Sequence, residues 1–109
     1  MPNNPQVTIT VDGSGNPQVS SNRVHVSKSG GNQVLFQNQS GQTATVNFVV
    51  AGNANKTTSP FSNNSYSIQN NATQPTGPVK SGANANGTSY AYSVTVGSKT
   101  LDPVVIVDN

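Results

Sequence analysis

Hydrophobic and polar residues alternate with a period of two along most of this chain. Val7, Ile9 and Val11 alternate with threonines, and the same spacing returns at Val24 and Val26. Successive side chains of a β-strand point to opposite faces, so this pattern predicts strands that each bury one face. No window of a dozen residues carries an apolar stripe at the 3.6-residue period of a helix. The chain is therefore predicted to be all-β and almost free of helix.

Turn-forming residues divide this pattern into seven or eight short strands. Gly, Asn, Ser and Pro recur between the apolar runs, where they favour turn conformations. The predicted strands cover residues 7–11, 19, 24–26, 34–36, 43–50, 66–68, 90–96 and 104–107, with one further short strand at Val79. Residues 34–36 and 43–50 are predicted to pair as a hairpin, and 97–103 to form the loop between the last two strands. This spacing predicts a Greek-key β-sandwich of two sheets.

Two long surface loops are predicted at residues 51–64 and 70–86, which are rich in Asn, Ser, Thr and Gly. Phe61 is expected to anchor the first loop in the core. Loops carry function more often than the strands they join. Tyr66 is the candidate ligand-binding residue, as an exposed ring that stacks on a sugar, and the amides of Asn63 and Asn64 are candidates to bind sugar hydroxyls.

Length and charge limit the classes of protein to consider. The 109 residues are predicted to form one domain, 1–109. Only 7% of residues are charged and the net charge is +2, against roughly 25% charged residues in an average globular protein. The five cations are scattered singly, so no patch would follow a phosphate backbone, and no nucleic-acid partner is predicted. No apolar run is long enough for a membrane span or a signal peptide.

The composition leaves two alternatives for the cellular compartment. The chain contains no cysteine, so cysteine usage does not separate an oxidising from a reducing compartment. Low charge and richness in Asn, Ser, Thr and Gly resemble bacterial cell-surface and secreted β-proteins. We expect a secreted or cell-surface protein if a signal peptide has been removed, and a cytoplasmic protein otherwise.

Catalytic and metal-binding residue types are scarce. His25 is the only histidine, and it is predicted to be a solvated strand residue because it alternates with buried valines. The carboxylates are Asp12, Asp102 and Asp108, with no glutamate, and Asp12 is expected to bond the backbone of its own turn. No Gly-x-Ser-x-Gly motif is present. We predict no enzymatic activity, no metal and no cofactor.

The order of elements over residues 19–109 resembles the cupredoxin family, the small copper-protein sandwiches that include plastocyanin-like domains. Residues 24–38 look like the family's strand, Gly turn and Val-x-Phe-x-Asn strand, the last spelled by Val34, Phe36 and Asn38. Residues 87–92 look like its Gly-x-Tyr-x-Tyr strand, and 104–107 like its last strand. The resemblance implies a cupredoxin-like sandwich.

The copper ligands that the resemblance implies are missing. The family uses one His after the Asn-bearing strand, and then Cys, His and often Met between the last two strands, since thiolate and imidazole together favour copper. Here Ala44 stands in the first region, and residues 94–101 contain no Cys, His or Met. The resemblance therefore implies the scaffold without its copper.

Two hypotheses of function follow. The leading one is a non-enzymatic, copper-free, cupredoxin-like structural or protein-interaction module whose partner is another protein or a second copy of itself. A nearly uncharged polar surface gives little repulsion between copies, which favours self-association. The alternative is a lectin-like module that binds neutral glycan through the Asn/Ser/Thr-rich loops and the tyrosine.

Overall fold

The computed structural model describes residues 4–48 and 59–109, and this part of the chain is all-β with no helix. Its strands are short, most of them three to six residues long. In chain order they are β1 (Gln6–Val11), β2 (Pro17–Val19), β3 (Arg23–Ser27), β4 (Leu35–Asn38), β5 (Ala44–Asn47), β6 (Ser65–Ile68), β7 (Thr73–Pro75), β8 (Thr88–Ala91), β9 (Ser93–Val96), β10 (Lys99–Leu101) and β11 (Val104–Asp108). The predicted all-β class is confirmed.

These strands form three sheets, with the orders β2-β1-β4-β7, β10-β9-β5-β6 and β3-β11-β8. The pairs β1–β4 and β3–β11 are parallel, and the other pairs are antiparallel. At the sheet borders β2 lies against β10, and β6 lies against β7. The structure therefore has eleven strands in the described residues, more than the seven or eight predicted. The predicted strand at 90–96 is divided between two sheets, and the sequence pattern does not predict β7 and β10.

One hairpin runs through two of the sheets. Leu101 lies opposite Val94 in the β10–β9 pair, and Val104 lies opposite Ala91 in the β11–β8 pair, so the register is the same on both sides of the gap. The gap falls at Pro103, which has no N–H to give to the ladder. Its carbonyl still accepts a hydrogen bond from the Tyr92 N–H at 3.0 Å. The hairpin is therefore continuous in register from 88 to 108.

The prediction of a loop at 97–103 is wrong. Only Gly97 and Ser98 turn the chain, and β10 begins at Lys99. Gly97 has φ +63°, and a positive φ at the first position of a two-residue hairpin turn favours glycine. The polar residues of β10 gave no alternating signal by which this strand could have been predicted.

Two further expectations are corrected by the sheet order. Strands β4 and β5 do not form a hairpin, because β4 pairs with β1 and β7 while β5 pairs with β6 and β9. No strand forms at Val79, whose N–H bonds the Asn32 carbonyl at 3.0 Å outside any ladder. The strand of this region is β7, which is polar and ends on Pro75, so its sequence resembles a loop.

Inward-facing residues of all three sheets belong to one hydrophobic cluster. Phe48 is at its centre, with ring centroids 5.5 Å from Phe61, 6.5 Å from Tyr66 and 4.9 Å from Tyr92. Phe61 is fully buried, as predicted for the anchor of its loop. Residues 104–107 form the predicted strand, and its residues Val105 to Val107 are buried on both faces.

Candidate functional site

Tyr66, the predicted sugar-stacking residue, is buried. It is only 5% exposed, and its hydroxyl donates a hydrogen bond to the Thr76 carbonyl at 3.0 Å. Burial raises the pKa of the Tyr66 hydroxyl to about 12. The prediction of an exposed Tyr66 is wrong, because Tyr66 and Ile68 share the inner face of β6 while Ser65 and Ser67 take the outer face.

Asn63 and Asn64 are exposed, but no tyrosine ring is exposed beside them. The backbone around them is held in place: the Phe61 N–H donates to Ser59 Oγ at 3.0 Å, and the Phe48 N–H donates to the Asn64 carbonyl at 2.7 Å. Residues 51–58 of the same predicted loop lie outside the described residues. The proposed combination of ring and amides is therefore not formed at this place.

His25 lies on the outer face of β3 and pairs with Asp108 of β11. The distance from His25 Nδ1 to Asp108 Oδ2 is 2.9 Å, and the two side chains are 58% and 46% exposed. The predicted solvent exposure of His25 is confirmed, but the pair was missed because it depends on the parallel β3–β11 register between distant parts of the chain.

An imidazole held by a carboxylate at Nδ1 is the orienting half of a Ser-His-Asp triad. Within residues 4–48 and 59–109, no side chain is hydrogen-bonded to the opposite nitrogen, Nε2. The pair therefore has no nucleophile beside it in the described structure.

The backbone of β3 offers an open strand edge. The Val104 N–H donates to the Asn22 carbonyl at 2.9 Å. The Lys28 N–H donates to the Asp108 carbonyl at 2.7 Å. In a parallel pair, every second residue of a strand hydrogen-bonds to the neighbouring strand, and the residues between them direct their N–H and C=O away from it. The backbone groups of Arg23, His25 and Ser27 consequently point away from β11.

Both ends of this edge are capped. Ser27 donates its N–H to Asn32 Oδ1 at 2.7 Å and accepts from the Asn32 N–H at 3.1 Å. The Arg23 carbonyl accepts from Ser21 Oγ at 2.7 Å. In the described part of the chain, no partner is present for the N–H and C=O of His25. The open part of the edge is therefore centred on His25.

A cleft of about 450 Å³ lies beyond the end of β3. Its lining residues come from the turn after β3, from the segment after β7 and from the residue after β11. They are Lys28, Ser29, Val79, Ser81 and Asn109. This volume lies in the range of small-molecule sites, roughly 300–1,000 Å³.

The outer face of the β10-β9-β5-β6 sheet carries a row of hydroxyl groups. Thr100 lies opposite Thr95, Thr95 opposite Thr45, and Thr45 opposite Ser67. The hydroxyls of Thr95 and Thr100 are 3.0 Å apart. The four side chains form an uncharged row across four adjacent strands.

The resemblance would place copper ligands near Ala44 and within residues 94–101, and none of these residues is Cys, His or Met. Ala44 is buried and lies opposite Val96, directly before the Gly97 turn. Among the described residues, no three His, Cys, Asp or Glu side chains cluster as a metal site would require.

The sequence matches no protein-family model and no curated protein. In the described part of the chain, no helix is long and apolar enough to cross a membrane.

Proposed function

We propose that this chain is a copper-free, cupredoxin-like β-sandwich with Greek-key connectivity that acts as a non-enzymatic interaction module. One core shared by all three sheets, and the hairpin that runs through two of them, support two layers. The antiparallel pair β5–β9 joins strands that are not consecutive, as Greek-key chains do. Ala44 in the first ligand region, and a stretch 94–101 that contains no Cys, His or Met, support a scaffold without copper.

The module associates with a second copy of itself through β3. The observation that carries this proposal is that, among the described residues, the N–H and C=O of His25 have no hydrogen-bond partner. β2 lies beside β10, and β6 beside β7. Unpaired strand edges readily pair with another chain.

A two-fold dimer centred on His25 uses the groups that are available. His25 is the middle residue of β3, so antiparallel pairing places it opposite itself and places Arg23 opposite Ser27 of the other copy. In such a hydrogen-bonded pair both residues exchange N–H and C=O bonds. This contact is self-complementary, as a two-fold interface requires. Because the capped Ser27 must release Asn32 for a longer ladder, the interface is small and the dimer weak.

Light scattering over a wide concentration range tests the association, with His25→Pro as the decisive variant. Proline removes the N–H, and sheets tolerate proline where that N–H faces away from the neighbouring strand. We expect the wild type and the matched control His25→Ala to dimerise, and His25→Pro to remain a monomer. His25→Lys keeps the backbone but places two charges at the axis, and it should also weaken the dimer. A wild type that stays monomeric at millimolar concentration, or a dimer unaffected by proline, contradicts the proposal.

A second candidate is neutral-glycan binding, which the hydroxyl row of Thr100, Thr95, Thr45 and Ser67 favours. Uncharged hydroxyls both donate and accept hydrogen bonds, which suits the hydroxyls of a neutral sugar. This surface differs from the predicted loops, and it involves no tyrosine. The row lies on a different sheet from the β3 edge, so the two functions are separable by mutation.

Titration with neutral oligosaccharides, followed by amide chemical shifts, tests this candidate. Thr45→Val removes a central hydroxyl while keeping the shape, and Thr73→Val is the matched control on exposed β7. Several-fold weaker binding in Thr45→Val alone supports the candidate. Binding that is absent at millimolar sugar, or equal in both variants, removes it.

A further inference from the structure

The hydrogen bond between His25 and Asp108 decides which ring nitrogen of His25 is available to a ligand. An ionised carboxylate only accepts hydrogen bonds, so Nδ1, 2.9 Å from Asp108 Oδ2, carries the proton. In a neutral imidazole the other nitrogen, Nε2, is then an acceptor. Among the described residues, no side chain is hydrogen-bonded to Nε2. A carboxylate that holds one ring nitrogen orients the other toward a metal ion in many metal sites.

One chain alone does not form a metal site in this region. Within residues 4–48 and 59–109, no three His, Cys, Asp or Glu side chains cluster. His25 is also the only histidine of the sequence. A second imidazole must therefore come from a second copy of the chain.

The two-fold contact through β3, on which this inference rests, brings that second imidazole to the first. It places His25 opposite His25 of the other copy, with both side chains on one face of the joined sheet. Cβ atoms of such opposite residues are about 4.5–5.5 Å apart. Zn–N distances are about 2.0–2.1 Å, so one zinc ion reaches two nitrogens up to about 4 Å apart. The two rings need only lean slightly toward each other.

The charges around the two-fold axis suit a divalent cation. Each His25 brings its own Asp108, so two carboxylates accompany the two rings. The nearest cation along β3 is Arg23, two residues from His25 and therefore roughly 7 Å away along the strand. Arg23 is exposed, and water weakens its repulsion of a bound ion. The two carboxylates offset the two arginines.

We propose that a zinc ion bridges two copies of this chain at the two-fold axis. Nε2 of each His25 is a ligand, and Asp108 is the positioning residue behind each ring. Imidazole is a good ligand for zinc, and water takes the remaining positions of the tetrahedral ion. Because an ion that binds only the dimer shifts the equilibrium toward the dimer, zinc regulates the self-association of the module.

The test measures the dimer dissociation constant of the full chain, without a histidine tag, by light scattering at neutral pH. EDTA, zinc and magnesium are compared. We expect zinc to lower this constant about tenfold when its concentration is roughly ten times its own dissociation constant. Magnesium prefers oxygen ligands and should have no effect. The dimer of His25→Ala should not respond to zinc.

Asp108→Asn and Asp102→Asn are the matched pair that tests the positioning role. Both replace a carboxylate by an amide of the same shape, but Asp108 is the one bonded to His25. Zinc should bind about tenfold more weakly to Asp108→Asn, and with wild-type affinity to Asp102→Asn. Because the chain has one histidine, its imidazole NMR signals report on His25 directly, and they should shift with zinc at one ion per two chains.

The outcomes separate this proposal from the association itself. A metal-free dimer whose dissociation constant zinc leaves unchanged overturns the zinc bridge and leaves the association through β3 intact. An equal response to zinc in His25→Ala and wild type, or one zinc ion per chain, also overturns it. If the metal-free wild type stays monomeric, the association through the β3 backbone is contradicted. The bridge then stands only if zinc produces a dimer that His25→Ala does not form.

Discussion

Two polar regions of this molecule are built in opposite ways. The first is the seam between β4, β7 and β6, formed by Asn38, Ser40, Tyr66 and Thr76. All four side chains are buried. The second is the β3 end, formed by His25, Asp108 and the cleft of Lys28. There the groups are solvated, and His25 and Asp108 are about half exposed.

Asn38 shows how completely the seam is bonded. Its Nδ2 donates to the carbonyls of Gln42 at 2.7 Å and Ile68 at 2.8 Å. Its Oδ1 accepts from the N–H and the Oγ of Ser40, at 3.0 and 2.7 Å. Two donors and two acceptor positions are the full capacity of an amide. Because Asn38 lies on β4 and Ile68 on β6, the side chain connects two sheets.

The difference teaches where polar groups specify the fold and where they remain available to partners. A buried group that loses its partner retains the whole cost of desolvation, whereas an exposed group returns to water. Mutations in the seam should therefore change stability, and mutations at the β3 end should change binding.

The largest effect is expected for Asn38→Leu. The substitution removes four hydrogen bonds of the Asn38 side chain: the Ser40 N–H loses its partner, and the carbonyls of Gln42 and Ile68 each lose one donor. Because a lost bond costs about 1 kcal/mol and a buried unsatisfied group about 1–3 kcal/mol, the free energy of unfolding should fall by about 3 kcal/mol or more. Urea denaturation measures it. Asn70→Ala is the control, since the exposed Asn70 makes one bond, to the Gly41 N–H at 2.9 Å, and should cost under about 1 kcal/mol. Equal losses of unfolding free energy in Asn38→Leu and Asn70→Ala would contradict the proposed difference between buried and exposed polar groups.

The next largest effect is expected at alkaline pH, where ionisation of Tyr66 should lower the stability of the fold. Burial raises its pKa from 10.0 to about 12, so the folded state favours the neutral hydroxyl. The resulting stabilisation is fully present below pH 10 and is lost as the pH rises through about 12, since the unfolded chain ionises first. The loss at the upper end is on the order of 2 kcal/mol. Unfolding monitored by circular dichroism against pH should show this decline, and Tyr66→Phe should reduce it. A decline of the same size in Tyr66→Phe would contradict this assignment.

Strands with an apolar face could be predicted from the sequence, whereas polar strands could not. Alternation correctly predicted the strands at 7–11, 24–26 and 66–68, because each has an apolar face that must be buried. The strand at 104–107 was predicted by its continuous apolar run, which is typical of a strand covered on both faces. Neither pattern predicted β7 and β10, which are polar border strands held by their neighbours rather than by their own burial.

The residues of the candidate functional site could not be predicted from the local sequence pattern. The alternation of Tyr66 and Ile68 with serines indicates an inward ring, which conflicts with the hypothesis of an exposed sugar-stacking tyrosine at this position. The His25–Asp108 pair and the cleft required the register of β3 against β11, which is set by packing between residues some eighty positions apart. The sequence predicts Asn38 only as part of a strand motif, because no local signal shows which carbonyls a buried amide will contact.

A smaller difference in the free energy of unfolding is expected between phenylalanine substitutions at two buried tyrosines, Tyr66 and Tyr92. The Tyr66 hydroxyl is bonded to Thr76, whereas no residue in the described chain bonds the Tyr92 hydroxyl, which is buried as well. Tyr66→Phe should lower the free energy of unfolding by about 1 kcal/mol, and Tyr92→Phe should leave it unchanged or raise it slightly. Urea denaturation of both variants makes each the control of the other. A larger loss in Tyr92→Phe would show that its hydroxyl has a partner outside the described residues.

The smallest effect on stability is expected at the β3 end, in the pair of His25 with Asp108. The two groups are 2.9 Å apart, but their exposure lets water and salt screen the attraction. Exposed ion pairs contribute about 0.2–1 kcal/mol in double-mutant cycles. A cycle of His25→Ala, Asp108→Asn and the double variant at neutral pH should give a coupling below about 1 kcal/mol that decreases with added salt. A coupling near that of the buried seam would mean that the β3 end is a structural element as well. A small coupling would agree with the comparison, since the solvated pair would then contribute little to the stability of the fold.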